Sequence, residues 1–158
     1  MYKRQTSTSP EQTQWLATRL ANHCVAGDCI LLSGDLGVGK TCFSQGFIHA
    51  LSGEVNVQSP TFLLVKSYEQ AGGPTICHMD FYRIEHEGEL LELGLEEYLD
   101  GGVCLIEWPE IAESYFPADY LHITIGSNED DSRTLTFFAK GDWQERLNNI
   151  HFLDDANE

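Results

Sequence analysis

Residues 29–41 read Cys-Ile-Leu-Leu-Ser-Gly-Asp-Leu-Gly-Val-Gly-Lys-Thr, a short apolar run that opens into a glycine-rich turn ending in Lys-Thr. Gly34, Gly39, Lys40 and Thr41 satisfy the spacing Gly-x-x-x-x-Gly-Lys-Thr. Glycines let a backbone turn tightly enough for successive amide N–H groups to point at phosphate oxygens. A lysine at position 40 suits the β- and γ-phosphates, and the hydroxyl of Thr41 suits Mg²⁺. The flanks agree: Ile30 to Ser33 reads as a buried strand, and Cys42 to Leu51 reads as a helix whose N-terminus faces the phosphates. A loop of this kind between a strand and a helix confines the chain to an α/β fold built around a nucleotide.

The chain has 158 residues, enough for one real core but short for a nucleotide fold plus a second domain. The expected division is a single domain over 1–153 and an acidic tail at 154–158. No apolar run approaches the roughly 18 residues of a membrane span, and Met1 to Pro10 lacks an apolar export signal. Five cysteines without paired spacing read as reduced core thiols, with Cys29 and Cys104 in strand-like runs, so the expected location is the cytoplasm. Nine Lys plus Arg against 25 Asp plus Glu leave a formal net charge of −16. Such a chain repels polyanions, which disfavours autonomous RNA or DNA binding; its charge suits either a basic protein partner or simple solubility.

Strands and helices alternate along the sequence. Ser9-Pro10-Glu11-Gln12 has the form of a capping box with proline at the first helical position, and Trp15, Leu16, Leu20 and Cys24 fit one face of a helix ending near Gly27. Phe62 to Ser67 and Thr75 to Phe81 read as strands around a Gly72-Gly73-Pro74 turn. Glu87 to Leu99 reads as one acidic helix with Leu91, Leu95, Tyr98 and Leu99 aligned, stopped by Gly101-Gly102. Val103 to Ile106 is a short apolar strand, and the alternating stretches around Ile123 and Phe137 form an antiparallel edge hairpin across the turn Gly126 to Ser132. The predicted architecture is a three-layer α/β domain resembling P-loop NTPases, with a mixed, mostly parallel sheet.

Three further elements gather near the loop. Val103-Cys104-Leu105-Ile106-Glu107 places a carboxylate at the end of a strand, where Glu107 reads either as a metal ligand or as the base for an attacking water. His78-Met79-Asp80-Phe81-Tyr82-Arg83 ends another strand, where ligands bind in α/β sheets, making Asp80 a candidate to position metal or water. His78 reads as packed or hydrogen-bonded, and Arg83 as a surface partner of Glu85 or a phosphate contact. Ser59-Pro60-Thr61-Phe62 reads either as a segment that senses the γ-phosphate or as a plain turn before a strand.

Gly-Asp-Leu-Gly-Val-Gly-Lys-Thr, Ser-Pro-Thr-Phe, His-Met-Asp-Phe-Tyr-Arg and Ile-Glu-Trp-Pro-Glu, in that order across residues 34–110, resemble the bacterial TsaE family, also called YjeE. The resemblance implies a P-loop ATPase that serves formation of threonylcarbamoyladenosine in tRNAs reading codons that start with adenosine. It implies work alongside the TsaB–TsaD complex, which carries out the transfer, with tRNA met only through that complex. Carried over by motif, Gly34, Asp35, Leu36, Gly37, Val38, Gly39, Lys40, Thr41 and Cys42 would surround ATP or ADP. Thr41 and Glu107 would hold Mg²⁺, with Lys40, Asp80 and Glu107 serving hydrolysis. Thr61 would belong to a switch-like segment, Trp108 would stand beside the metal strand, and Pro10 and Arg133 would flank the adenine.

This chain is poor in arginine, so slow hydrolysis alone and faster hydrolysis with partners is expected, from a protein that is monomeric by itself. A small metabolite or nucleotide kinase is the main alternative. It needs a basic acceptor site, yet only Lys66, Arg83, Arg133, Lys140 and Arg146 follow the loop. A guanine-specific GTPase would carry an Asn-Lys-x-Asp loop, which this sequence lacks.

Overall fold

Four of the five residues of the strand before the loop, Cys29–Ser33, are fully covered, so layers must pack on both its faces. The computed structural model describes residues 1–152 and shows those layers; the acidic stretch 154–158 lies outside the described residues. The elements run β1 (Tyr2–Ser7), α1 (Pro10–Ala21), β2 (Cys29–Ser33), α2 (Lys40–Ser52), β3 (Val65–Tyr68), β4 (Ile76–Asp80), α3 (Gly88–Leu93), α4 (Leu95–Gly101), β5 (Val103–Glu107), β6 (Tyr120–Ser127), β7 (Arg133–Lys140) and α5 (Trp143–Asn148). A 3₁₀ segment, Pro109–Tyr115, follows β5.

The strands form one seven-stranded sheet in the order β1-β7-β6-β2-β5-β4-β3. The four inner strands β6, β2, β5 and β4 are mutually parallel, and antiparallel strands extend the sheet at both ends. Side-chain alternation splits the core in two. Ile30, Leu32, Ile76 and Leu105 pack with Leu16, Leu20, Phe43, Phe47 and Trp143 from α1, α2 and α5. Leu31, Met79 and Ile106 pack with Leu90, Leu95 and Ala112 on the opposite face. The mixed three-layer α/β architecture is therefore borne out, but the hairpin β6–β7 expected at the edge lies inside the sheet, because β1 pairs on the outer side of β7. Among the described residues no helix is long and apolar enough to cross a membrane.

Ser9 caps α1 by accepting from the Gln12 amide at 3.1 Å, while the Gln12 side chain reaches back to the Thr8 amide at 2.7 Å. The helix ends earlier than expected, at Ala21. Cys24 lies beyond it, packed against the core, and Trp15 is exposed beneath the Arg19 guanidinium. The predicted strand from Phe62 starts only at Val65, because the Leu64 amide turns back to the Pro60 carbonyl at 2.7 Å. That turn leaves Phe62 and Leu63 82% and 72% exposed. The single helix expected from Glu87 breaks at Gly94, whose φ of 77° only glycine adopts easily. The break rotates the second half, so Leu90 and Leu95 are buried while Leu91 is exposed.

Two elements escaped the sequence pattern. β1 turns Gln5 and Ser7 inward, so its buried positions are polar and give no apolar alternation. α5 is anchored by buried Trp143 and Leu147 and by Arg146, whose guanidinium makes two 2.7 Å bonds to Asp28 just before β2. Burial pushes the Cys29 thiol up to about 12, which keeps this core cysteine protonated.

α1 and α2 meet at Gly46, where an added Cβ would lie 2.6 Å from the Gln14 Cα and carbonyl oxygen. Gly101, also helical, faces open space. Gly46→Ala should therefore lose about 1–3 kcal/mol to overpacking against backbone, despite better helix propensity. Gly101→Ala should gain up to ~1 kcal/mol. Urea unfolding of the two variants checks both signs.

Candidate nucleotide site

The loop leaves the carboxyl end of β2, the end at which open α/β sheets bind ligands. Gly34 has φ 150°, and a Cβ there would sit 2.6 Å from the Ile125 carbonyl oxygen and 2.8 Å from the Val38 side chain. The loop thus lies too close to β6 for any other residue. Gly39 precedes α2, whose first turn offers its free amides to the hollow above. Lys40 curls over the loop, donating to the Gly34 carbonyl and, at 3.1 Å, to the Asp35 carbonyl. Its ammonium also stands 4.1 Å over the Trp108 ring. Burial pushes the lysine pKa down, while Glu107, Asp80, Asp35 and Glu110 act against that.

Parallel pairing of β4 with β5 sets Asp80 opposite Glu107, and β2 sets Leu32 opposite Glu107. Both carboxylates therefore stand at one level beside the loop, on the face covered by α2. Both are buried, and each is held by donors. Asp80 accepts from Ser59 Oγ at 2.7 Å, Thr61 Oγ1 at 2.9 Å and the Tyr82 amide at 2.9 Å. Glu107 accepts from His78 Nε2 at 2.6 Å and from Ser59 Oγ at 3.4 Å. Trp108 adopts a left-handed backbone (φ 53°), which turns its ring over Lys40 and against Tyr82 at a centroid distance of 5.0 Å.

These residues enclose a cleft of about 450 Å³, lined by Leu36, Gly37, Gly39, Lys40, Thr41 and Cys42 on the loop side and by Ser59, Thr61, Asp80, Tyr82, Glu107 and Trp108 opposite. A second hollow of about 250 Å³ continues past Gly37, Val38, Gly39 and Cys42 to Pro10, Thr13, Asp131 and Arg133. Arg133 Nε donates to the Val38 carbonyl at 2.8 Å, and the Cys42 thiol lies 3.2 Å from the Pro10 carbonyl. Of the residues proposed from sequence to surround nucleotide or serve hydrolysis, all but Gly34 and Asp35 line two adjoining hollows. Arg83 does not join them: its guanidinium stacks 4.3 Å over the Phe62 ring, and among the described residues no ion pair links it to Glu85.

Sequence reasoning missed how these groups are tied together. Ser59 touches both carboxylates from a loop remote in sequence, and the Tyr82 amide caps Asp80 in a local turn. Thr13, Ser7 and Asp131 line the second hollow with no motif to mark them. The Thr41 hydroxyl and the two carboxylates form a hard oxygen set, which fits Mg²⁺. Among the described residues no cluster of three or more His, Cys, Asp and Glu could hold a metal alone. A cation here would complete its shell with phosphate and water, as Mg²⁺ commonly does.

Comparison with known proteins agrees with this geometry. Residues 7–135 match the family model described as "Threonylcarbamoyl adenosine biosynthesis protein TsaE". The tRNA threonylcarbamoyladenosine biosynthesis protein TsaE of Bacillus subtilis is 43% identical over 142 residues, covering 89% of this chain and 88% of that protein. Its Rickettsia conorii namesake is 37% identical over 153 residues, covering 96% and 87%. The crystal structure of Bacillus subtilis YdiB superposes with a TM-score of 0.78 at 36% identity, covering 93% of this chain and 91% of that one. Matched over most of its length in sequence and in fold, the chain belongs to the TsaE family of threonylcarbamoyl adenosine biosynthesis proteins.

Proposed function

We propose that this chain is the ATP-binding and ATP-hydrolysing component of tRNA threonylcarbamoyladenosine formation, stimulated by a TsaB–TsaD complex that performs the transfer. The observation that carries the reading is the single cleft shared by the phosphate loop, Asp80 and Glu107. Loop amides and the α2 N-terminus would take the α- and β-phosphates, and Lys40 would exchange its carbonyl contacts for β- and γ-oxygens. Pro10 and Arg133 would bound the base in the second hollow. Bound through Thr41 and Glu107, Mg²⁺ would supply charge neutralisation between β- and γ-phosphates. Asp80 faces the same space and would orient the attacking water.

What the cleft contains supports partner stimulation. Lys40 is the one cation among its lining residues, and Arg83 is stacked on Phe62 instead. Thr61 and Ser59 grip Asp80 from a segment whose neighbouring residues Phe62 and Leu63 project into solvent. A surface that fixes this segment would set the water-positioning carboxylate, and a supplied cation would add further rate.

Release of inorganic phosphate from Mg-ATP should be slow for the protein alone and rise at least about tenfold with TsaB–TsaD. Glu107→Ala should abolish the rise. Phosphate appearing on an organic acceptor rather than in water would instead establish the kinase alternative. Arg133→Ala should weaken ATP binding roughly tenfold by calorimetry, the scale of one charge-assisted hydrogen bond. Unchanged affinity would remove Arg133 from the base side.

A further inference from the structure

We propose that His78 is a positioning residue: it tethers one oxygen of Glu107, directs the other into the cleft, and so sets how strongly the site takes Mg²⁺ with nucleotide. The inference rests on the nucleotide reading above and concerns a side chain that reading does not use. His78 is fully buried on β4, and its Nε2 lies 2.6 Å from Glu107 Oε2. In register His78 opposes Leu105, and Asp80 opposes Glu107. The ring therefore reaches diagonally up one pleat to the carboxylate on the neighbouring strand.

Packing alone gives no reason for an imidazole here. The other inward residues of these two strands below the site, Ile76, Val103 and Leu105, are apolar members of the α2-side core. A polar ring in that layer loses hydration unless it bonds a partner. Among the described residues its single bond goes to Glu107, and Nδ1 is buried without a partner. A bare lone pair at Nδ1 is cheaper to bury than an N–H, so the hydrogen sits on Nε2 and donates to the carboxylate. Ser59 approaches the same oxygen, Oε2, which leaves Oε1 for the cleft that Glu107 lines. A hydrogen-bonded outer partner that aims a ligating carboxylate typically changes metal affinity about 10–100-fold.

The test is calorimetric titration of ADP into the full chain across a series of Mg²⁺ concentrations, including EDTA. For His78→Leu the Mg²⁺ needed for half of the affinity gain should rise about 10–100-fold, with ADP affinity in EDTA held within about twofold. His78→Gln restores an amide donor near the Nε2 position and should return most of the response. An unchanged Mg²⁺ dependence in folded His78→Leu would overturn the proposal, as would an equal loss of ADP affinity in EDTA. Wild-type protein that binds ADP identically with and without Mg²⁺ would overturn the metal reading itself, and this inference with it. Should His78→Leu fail to fold, long-range ¹H–¹⁵N spectra of wild-type protein decide: a hydrogen on Nε2 and none on Nδ1 is expected, and a hydrogen on Nδ1 overturns the assignment.

Discussion

Two carboxylates buried side by side are the constraint around which the rest of this molecule is arranged. Burying one unpaired carboxylate is expensive, and placing a second beside it adds repulsion. Parallel pairing nevertheless puts Asp80 level with Glu107 at adjacent strand ends. The structure offsets this with directed donors: Ser59, Thr61 and the Tyr82 amide on Asp80, and His78 on Glu107, with the Ser59 hydroxyl 3.4 Å from the latter. Lys40 adds a nearby positive charge, and the two carboxylates oppose the fall that burial imposes on its pKa. The donors come from the turn at Ser59 and Thr61 and from β4 with its continuation, while Glu107 ends β5, so the site exists only when these strands and that turn are assembled together.

Those supports differ in rigidity. His78 and the Tyr82 amide belong to β4 or its immediate continuation. Ser59 and Thr61 hang on a turn closed by the Leu64 amide on the Pro60 carbonyl, with Leu64 itself at φ 68°. A non-glycine residue in that region stores strain and persists only where its surroundings hold it. The Leu64 carbonyl provides part of that hold by accepting from the Asp80 amide at 3.0 Å. Asp80 is thus fixed from one side by the sheet and from the other by a strained turn bearing exposed Phe62 and Leu63. Glu107 depends mainly on the sheet. This asymmetry supports the roles proposed above, Glu107 as metal ligand and Asp80 as the group that would orient water.

How much of this was legible in the sequence varies with the physical signal. The loop, β2, α2 and β5 were readable because glycine spacing and an unbroken apolar run have few other meanings. Asp80 and Glu107 stood out because a carboxylate ending an apolar strand is itself a pattern. β1 was not readable, since Gln5 and Ser7 face inward and reverse the usual alternation. Phe62 looked like strand because its apolar neighbours match a buried run, and only the Pro60–Leu64 turn removes it. Leu91 looked buried because period counting assumes an unbroken helix, and Gly94 interrupts it. The role of His78 toward Glu107 was invisible for a different reason: it depends on the register of two strands whose partners lie 29 residues apart.

Charge explains why such a site calls for a cation. The cleft presents Asp80 and Glu107, with Asp35 and Glu110 acting on Lys40 from nearby, against that one lysine among its lining residues. The chain as a whole carries −16, so its long-range field also opposes a polyphosphate. Loop amides and the α2 dipole supply only partial positive charge, enough to orient phosphates but not to neutralise several oxygens. On the proposed reading, Glu107 would help to hold a divalent ion, which would supply the charge neutralisation that the cleft lacks. On the proposed reading, the geometry that holds Glu107 would therefore govern the affinity for nucleotide with metal, because an acidic phosphate site needs its acid aimed at a cation.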